Sequence, residues 1–181
     1  MTNVVVYDQD GHGGLSGDLI SALAKNGGVQ YHTWERVGCC PSEHTPQFVL
    51  SQSGHPLRLE LLEGIVVFGS KAPSTANFCI PDSVPCLVES TNTAALCTLM
   101  SSSHTAICCG LSSKDTFSVS SLRDHEAVVS VQRHLTALDG RPIEPGDIPI
   151  RLSHAQSAYS IMASCAVLLF SGQDPEHGFS F

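Results

Sequence analysis

The residues best suited to chemistry stand near the start of the chain, in the order of an anion cradle. An apolar run, Val4-Val5-Val6-Tyr7, leads into Asp8-Gln9-Asp10-Gly11-His12-Gly13-Gly14, and Leu15, Leu19, Ile20 and Leu23 then recur at helical spacing. Strand, glycine loop and helix in this order aim free backbone N–H groups and a helix dipole at an anion. A phosphate loop that serves catalysis adds a Lys for the outer phosphates and a Ser or Thr for magnesium. Those two places hold His12 and Gly13 here. Asp10, Gly11, His12, Gly13 and Gly14 are therefore the candidate cofactor-binding residues, with ATP and Mg as the group they would take. Against it, Asp8 and Asp10 place two carboxylates beside any bound anion. Their repulsion in a partly buried site is on the order of a kcal/mol or more, against ~0.3–1 kcal/mol from the helix dipole. Three readings stay open: a structural relic of a cradle, a weak nucleotide or anion site, and a site completed by a metal ion.

Other constellations carry less. Cys39-Cys40 with His44, joined by His32 or His55, lacks the paired spacing of a structural zinc site. Cys108-Cys109 lies in an apolar run and reads as core. No nucleophile elbow anchors any of the nine histidines to a serine or cysteine. The polar stretch Gly110-Leu111-Ser112-Ser113-Lys114-Asp115 reads as a connecting turn, with a ligand loop as the alternative. Arg133 and Glu144 are expected to pair across a hairpin.

The elements that must position these residues follow from apolar periodicity. Buried strands are expected over 4–7, 29–34, 64–69, 86–88 and 105–109, and amphipathic or apolar helices over 15–25, 93–101 and 155–170. Gly38, Pro41, Pro46 and Gly54 break the pattern over 36–55, leaving an irregular or edge segment with Phe48-Val49-Leu50 as its apolar nucleus. Residues 57–61 read as a short strand or a helical turn. Alternation at 116–120 and 127–133, the turn Asp139-Gly140 and a returning strand over 143–152 predict an antiparallel extension. Together these give an α/β fold: a three-layer, Rossmann-like or P-loop-like, mainly parallel sheet with a small antiparallel β-hairpin. Residues 1–172 form one domain in this reading, and 173–181 a flexible tail.

Composition narrows the function. With a formal charge of -8 and nine Lys plus Arg among 181 residues, nucleic acid and anionic membrane surfaces are poor partners. The longest apolar segment, 161–170, is about ten residues against the ~20 that span a bilayer. No opening segment reads as a leader, so a cytoplasmic protein is expected, and its eight cysteines are expected as thiols.

The order of motifs resembles the central, ATP-binding domain of the Mur ligase family, which joins amino acids to peptidoglycan precursors, or to folate and cyanophycin in relatives, through an acyl phosphate. The family loop G-T-N-G-K-[ST]-[ST] stands where this chain has Asp8 to Gly14. The family strand ending in N-x-D-D before a helix is matched by Leu87-Val88-Glu89-Ser90-Thr91-Asn92, and its strand ending in an aromatic and Gly by Ile107-Cys108-Cys109-Gly110-Leu111. The family strand running into H-N-V-x-N-A-L-A-A-I-A is matched by Ile148-Pro149-Ile150-Arg151-Leu152 and Gln156-Ser157-Ala158-Tyr159-Ser160-Ile161-Met162-Ala163. No motif is intact. The loop Lys, the family's metal-binding Glu and its flanking substrate and C-terminal domains have no counterpart in this sequence. The resemblance thus implies a pseudoenzyme that has lost ATP-dependent amide ligation, needs no cofactor, and binds a protein partner or small ligand, with homo-oligomers allowed. The alternatives are a nucleotide-binding ligase component completed by a partner, and an unrelated Rossmann-like ligand-binding module.

Overall fold

The structure is a computed structural model that describes residues 1–8, 14–40, 45–55, 58–61, 63–69, 79–102 and 104–181. Its framework is one 11-stranded sheet in the order β3-β2-β4-β1-β5-β6-β7-β8-β9-β12-β13. The strands are β1 (Thr2–Tyr7), β2 (Val29–His32), β3 (Val37–Cys40), β4 (Phe48–Ser53), β5 (Ile65–Phe68), β6 (Cys86–Glu89), β7 (Ala106–Gly110), β8 (Phe117–Leu122), β9 (Glu126–Val131), β12 (Gly146–Arg151) and β13 (Phe179–Ser180). Neighbours from β2 to β8 are all parallel. Antiparallel strands flank them, β3 at one side and β9 with β12 at the other. The short β10 (Leu135–Thr136) and β11 (Pro142–Ile143) form a separate antiparallel ribbon.

Period-two alternation on β1 explains the three layers. Val4 and Val6 pack into one core with α1 (Leu15–Lys25) and α3 (Ala158–Phe170), whereas Val5 and Tyr7 pack into another with α2 (Thr93–Ser101). In α3 every residue from Tyr159 to Phe170 is buried. A helix apolar on all sides has no solvent face to offer, and α3 is accordingly sandwiched between the sheet and its surroundings. Its N-cap is Ser157, whose Oγ accepts from the Ser160 N–H at 3.0 Å, so the helix starts three residues later than apolarity predicts. α1 and α2 take the predicted bounds.

Four expectations need correction. The segment 36–55 holds two strands, and β4 lies between β1 and β2 with Phe48 and Leu50 buried. A three-residue apolar nucleus suffices there because parallel neighbours on both edges complete its hydrogen bonding. The returning strand over 143–152 is split: Leu135↔Ile143 closes the ribbon around Gly140 (φ +85), and β12 pairs separately with β9. Arg133 and Glu144 do not pair. Arg133 donates to the Lys114 carbonyl, and Glu144 meets His134 at 2.8 Å.

The segment 173–181, expected as a flexible tail, is docked. Ile150 pairs with Phe179 and Arg151 with Ser180, and the Phe181 side chain is fully buried. Two apolar aromatics within three residues, each worth about 1.5–3 kcal/mol when buried, anchor the segment together with its strand pairing. All eight cysteines are free.

Candidate functional site at the carboxyl ends of the parallel strands

In open α/β sheets the crevice beyond the carboxyl ends of the strands is where ligands sit. Here β1 ends in Tyr7 and Asp8, β5 in Phe68 and Gly69, and β6 in Glu89. The N-termini of α1 and α3 face the same space, and together they enclose a cavity of about 520 Å³ lined by Asp8, Gly14, Asp18, Glu89 and residues 155–160. Of the five candidate loop residues, Gly14 stands in its wall as the N-cap of α1. Asp10, Gly11, His12 and Gly13 lie outside the described residues.

Asp8 is set by the sheet. Its N–H donates to the Ser53 carbonyl at 3.0 Å, extending β1 past its last paired residue. Its carboxyl packs on Gly69, where a Cβ would come within 2.7 Å of the Asp8 Cγ. Asp8 is thereby held buried, at 4% exposure, over the end of β5. Asp18 follows from the first turn of α1, and His154 Nε2 lies 3.2 Å from its Oδ1. α1 has no side-chain N-cap bond, so its dipole is the uncapped one. That of α3 is capped by its own Ser157.

Tyr159 closes the floor, its hydroxyl donating to the Phe68 carbonyl at 2.5 Å. Burial, followed by the neighbouring Cys109, Glu89 and Asp8, pushes this phenol well above its usual range, so it stays protonated and structural at neutral pH. Next to it Asn92 is buried, donates to the Gly69 carbonyl at 2.8 Å and accepts from the Ala95 N–H at 3.1 Å. One side chain thus ties the end of β5 to the start of α2. Asn92→Ala removes both bonds and leaves a buried carbonyl unpaired, with an expected loss of about 2 kcal/mol of stability. A urea midpoint unchanged from wild type would contradict this.

The crevice is acidic. Asp8, Asp18 and Glu89 line it, and no Lys or Arg does among the described residues. Lys25 is engaged with the Phe181 carbonyl at 2.6 Å, and Arg141 with Asp139 at 2.7 Å. Nor does any group of three His, Cys, Asp or Glu among the described residues take a metal-holding arrangement. For the cysteine and histidine cluster, Cys39 and Cys40 sit on β3, while His44 lies outside the described residues. At the end of β7, Asp115 Oδ2 accepts the Ser112 N–H at 2.9 Å and fills the space above Gly110, a closed turn.

Asp18 was invisible as a site residue because a first-turn acid is also an ordinary helix feature. Tyr159 carried a clearer signal, a lone phenol in an apolar helix that must find a polar partner.

No family model and no curated protein matches the chain. Solved structures do. MurF from Acinetobacter baumannii superposes with a TM-score of 0.60 at 13% identity, covering 97% of this chain and 44% of that one. A UDP-N-acetylmuramoyl-L-alanyl-D-glutamate–2,6-diaminopimelate ligase gives 0.56 at 10%, covering 94% and 43%. A bifunctional folylpolyglutamate synthase/dihydrofolate synthase with Mn, AMPPNP and L-glutamate bound gives 0.56 at 11%, covering 97% and 55%. The chain spans about half the length of these structures. At such identities the likeness is one of fold: a Mur ligase-like α/β domain, in agreement with the order of motifs. No helix among the described residues is long and apolar enough to cross a membrane.

Proposed function

We propose that this chain keeps the Mur ligase scaffold without its phosphoryl chemistry and works as a binding module, for a protein partner or a small ligand, in the cytoplasm. The observation that carries this is the charge of the crevice. Transfer of a phosphoryl group needs cations or a metal ion to stabilise the oxygens of the transferring group. The described walls present three carboxylates and no Lys or Arg, and the loop has His12 and Gly13 where such a site has Lys and a hydroxyl. One folylpolyglutamate synthase/dihydrofolate synthase neighbour holds Mn and AMPPNP. Carboxylates such as Asp8, Asp18 and Glu89 are donors that a divalent ion takes. What supports the reading is therefore the want of a phosphate-binding Lys or Arg in the described walls, and of the Lys and hydroxyl at His12 and Gly13. No reaction step is assigned to the crevice.

Thermal unfolding tests this. A nucleotide at about a hundred times its Kd stabilises by ~2.7 kcal/mol, which for a chain of this size is a rise of roughly 5–10 °C. With Mg-ATP at millimolar concentration the expected shift is below a degree or so. A rise of several degrees would favour the alternative, a ligase component completed by a partner.

A further inference from the structure

One Asn-Gly pair occurs in the sequence, Asn26-Gly27, and it stands at the end of α1. Asparagine followed by glycine is chemically labile, because a nitrogen whose own residue carries no side chain reaches the asparagine amide carbon easily. Here the attacking atom is free: among the described residues the Gly27 N–H donates to nothing. The amide it would attack is held. Asn26 Nδ2 donates to the Ala22 carbonyl at 2.7 Å and to the Ser180 carbonyl at 2.8 Å. The native ψ of 28° also turns the Gly27 nitrogen away from the Asn26 side chain. Segment 173–181 adds further holds. Gln173 Nε2 donates to Gln47 Oε1 at 2.6 Å, and that oxygen lies over Gly27, 2.8 Å from where a Cβ would stand. Lys25, the residue before, holds the Phe181 carbonyl at 2.6 Å. Three contacts of one segment thus converge on this turn.

We infer that Asn26 is a site of spontaneous deamidation guarded by segment 173–181, and that its conversion releases the segment. When the segment lifts, the turn rotates and the Gly27 nitrogen attacks Asn26 Cγ. A C–N bond forms, and Nδ2 leaves as ammonia with the proton of the Gly27 N–H. Water then opens the succinimide ring, leaving an aspartate or, where the other carbonyl is attacked, an isoaspartate. No oxidant, metal or enzyme enters the balance. The aspartate has lost both N–H donors and sets an anionic oxygen against the Ala22 and Ser180 carbonyls, so repulsion stands where two hydrogen bonds stood. A carboxylate at the carboxyl end of α1 also opposes the helix dipole. Release of the segment is one-way, because the ammonia is lost. The turn lies at the far end of α1 from the crevice, so a Mg-ATP result leaves it untouched.

Peptide mapping by mass spectrometry follows the exchange of amide for acid at Asn26 during incubation in mildly alkaline buffer, well below the melting temperature. A synthetic peptide of residues 22–30 gives the unguarded rate. Folded wild type is expected to convert at least about tenfold more slowly, since the rate follows the fraction of time the turn is open. Phe181→Ala empties the core site that anchors the segment, and Lys25→Met removes only the bond to the Phe181 carbonyl. Each is expected to speed conversion at least about threefold, and the milder Lys25→Met decides the matter if Phe181→Ala does not fold. Leu99→Ala empties a fully buried site on α2, in the other core, and is expected to stay within about twofold of wild type. Asn26→Asp imitates the product. In it, hydrogen exchange of the Phe181 N–H, which donates to the Arg151 carbonyl, is expected to quicken at least about fivefold. Conversion of folded wild type at the peptide rate would overturn the guard, as would equal acceleration by Leu99→Ala or none by Lys25→Met. Unchanged exchange at Phe181 in Asn26→Asp would overturn the release.

Discussion

Phe181→Ala is expected to cost about 3–5 kcal/mol, the usual cost of emptying a fully buried aromatic site. The side chain has no exposure and belongs to the core formed by α1, α3 and one face of the sheet. Its backbone is held as firmly. The Phe181 N–H donates to the Arg151 carbonyl at 2.8 Å, and its own carbonyl accepts from the Ser153 N–H at 2.9 Å and from Lys25 Nζ at 2.6 Å. Asn26 Nδ2 adds a bond to the Ser180 carbonyl at 2.8 Å. The segment therefore clamps the end of α1 to β12. Its approach needs Gly178, at φ +70, where a Cβ would stand 2.2 Å from the Pro149 carbonyl oxygen. Urea unfolding of the variant measures the effect. A loss below about 1 kcal/mol would mean that this segment does not pack as described.

Alkali is the second large effect. Burial pushes the Cys86 thiol from 9.0 up to about 12. Cys109 is raised well above its ordinary value by burial and then by its neighbours Cys108, Cys165, Asp115 and Glu89, and Cys165 is raised by burial. The folded chain keeps these protons while the unfolded chain releases them near pH 9. Stability is therefore whole below the unfolded value and falls as pH rises above it, by up to about 1.4 kcal/mol per pH unit for each group. By pH 11 the Cys86 thiol alone costs roughly 2–3 kcal/mol, a sizeable share of the ~5–15 kcal/mol that typically holds a domain, and Cys109 and Cys165 act in the same direction. Tyr159 acts in the same direction above the ordinary phenol range. Urea midpoints measured from pH 7 to 11 are expected to hold level and then drop steeply, with a shallower drop in Cys165→Ala. A flat profile to pH 11 would contradict buried thiols.

The parts of this fold that local pattern reveals are those whose stability is local in origin. Val4 to Tyr7 and Ile65 to Phe68 are short apolar runs buried on both faces, and Leu15 to Lys25 repeats its apolar residues at helical spacing before Asn26-Gly27-Gly28. β4 is different. Phe48-Val49-Leu50 becomes a central strand only because β1 and β2 leave a gap between them, a fact of topology and not of spacing. The final segment is illegible for the same reason, since Phe179 and Phe181 are separated by one residue and find their partners on α1 and β12. Glu144 faces His134 and not Arg133 because the ribbon closes one pair earlier than a continuous strand would. At the site, the glycine loop was visible as a motif. The acidity of its surroundings was half visible: Asp8 and Asp10 adjoin the loop in sequence, whereas Asp18 and Glu89 reach the cavity from a helix and a distant strand.

The most direct test of the central claim is calorimetric titration with Mg-ATP, alongside a hydrolysis assay, of wild type and of the double variant His12→Lys, Gly13→Ser. Wild type is expected to give no binding heat at micromolar to millimolar nucleotide and no phosphate release, while any gain appears in the variant alone. Micromolar binding with hydrolysis by the wild type would show that the acidic crevice serves phosphoryl transfer after all, and would contradict the reading of this chain as a binding module.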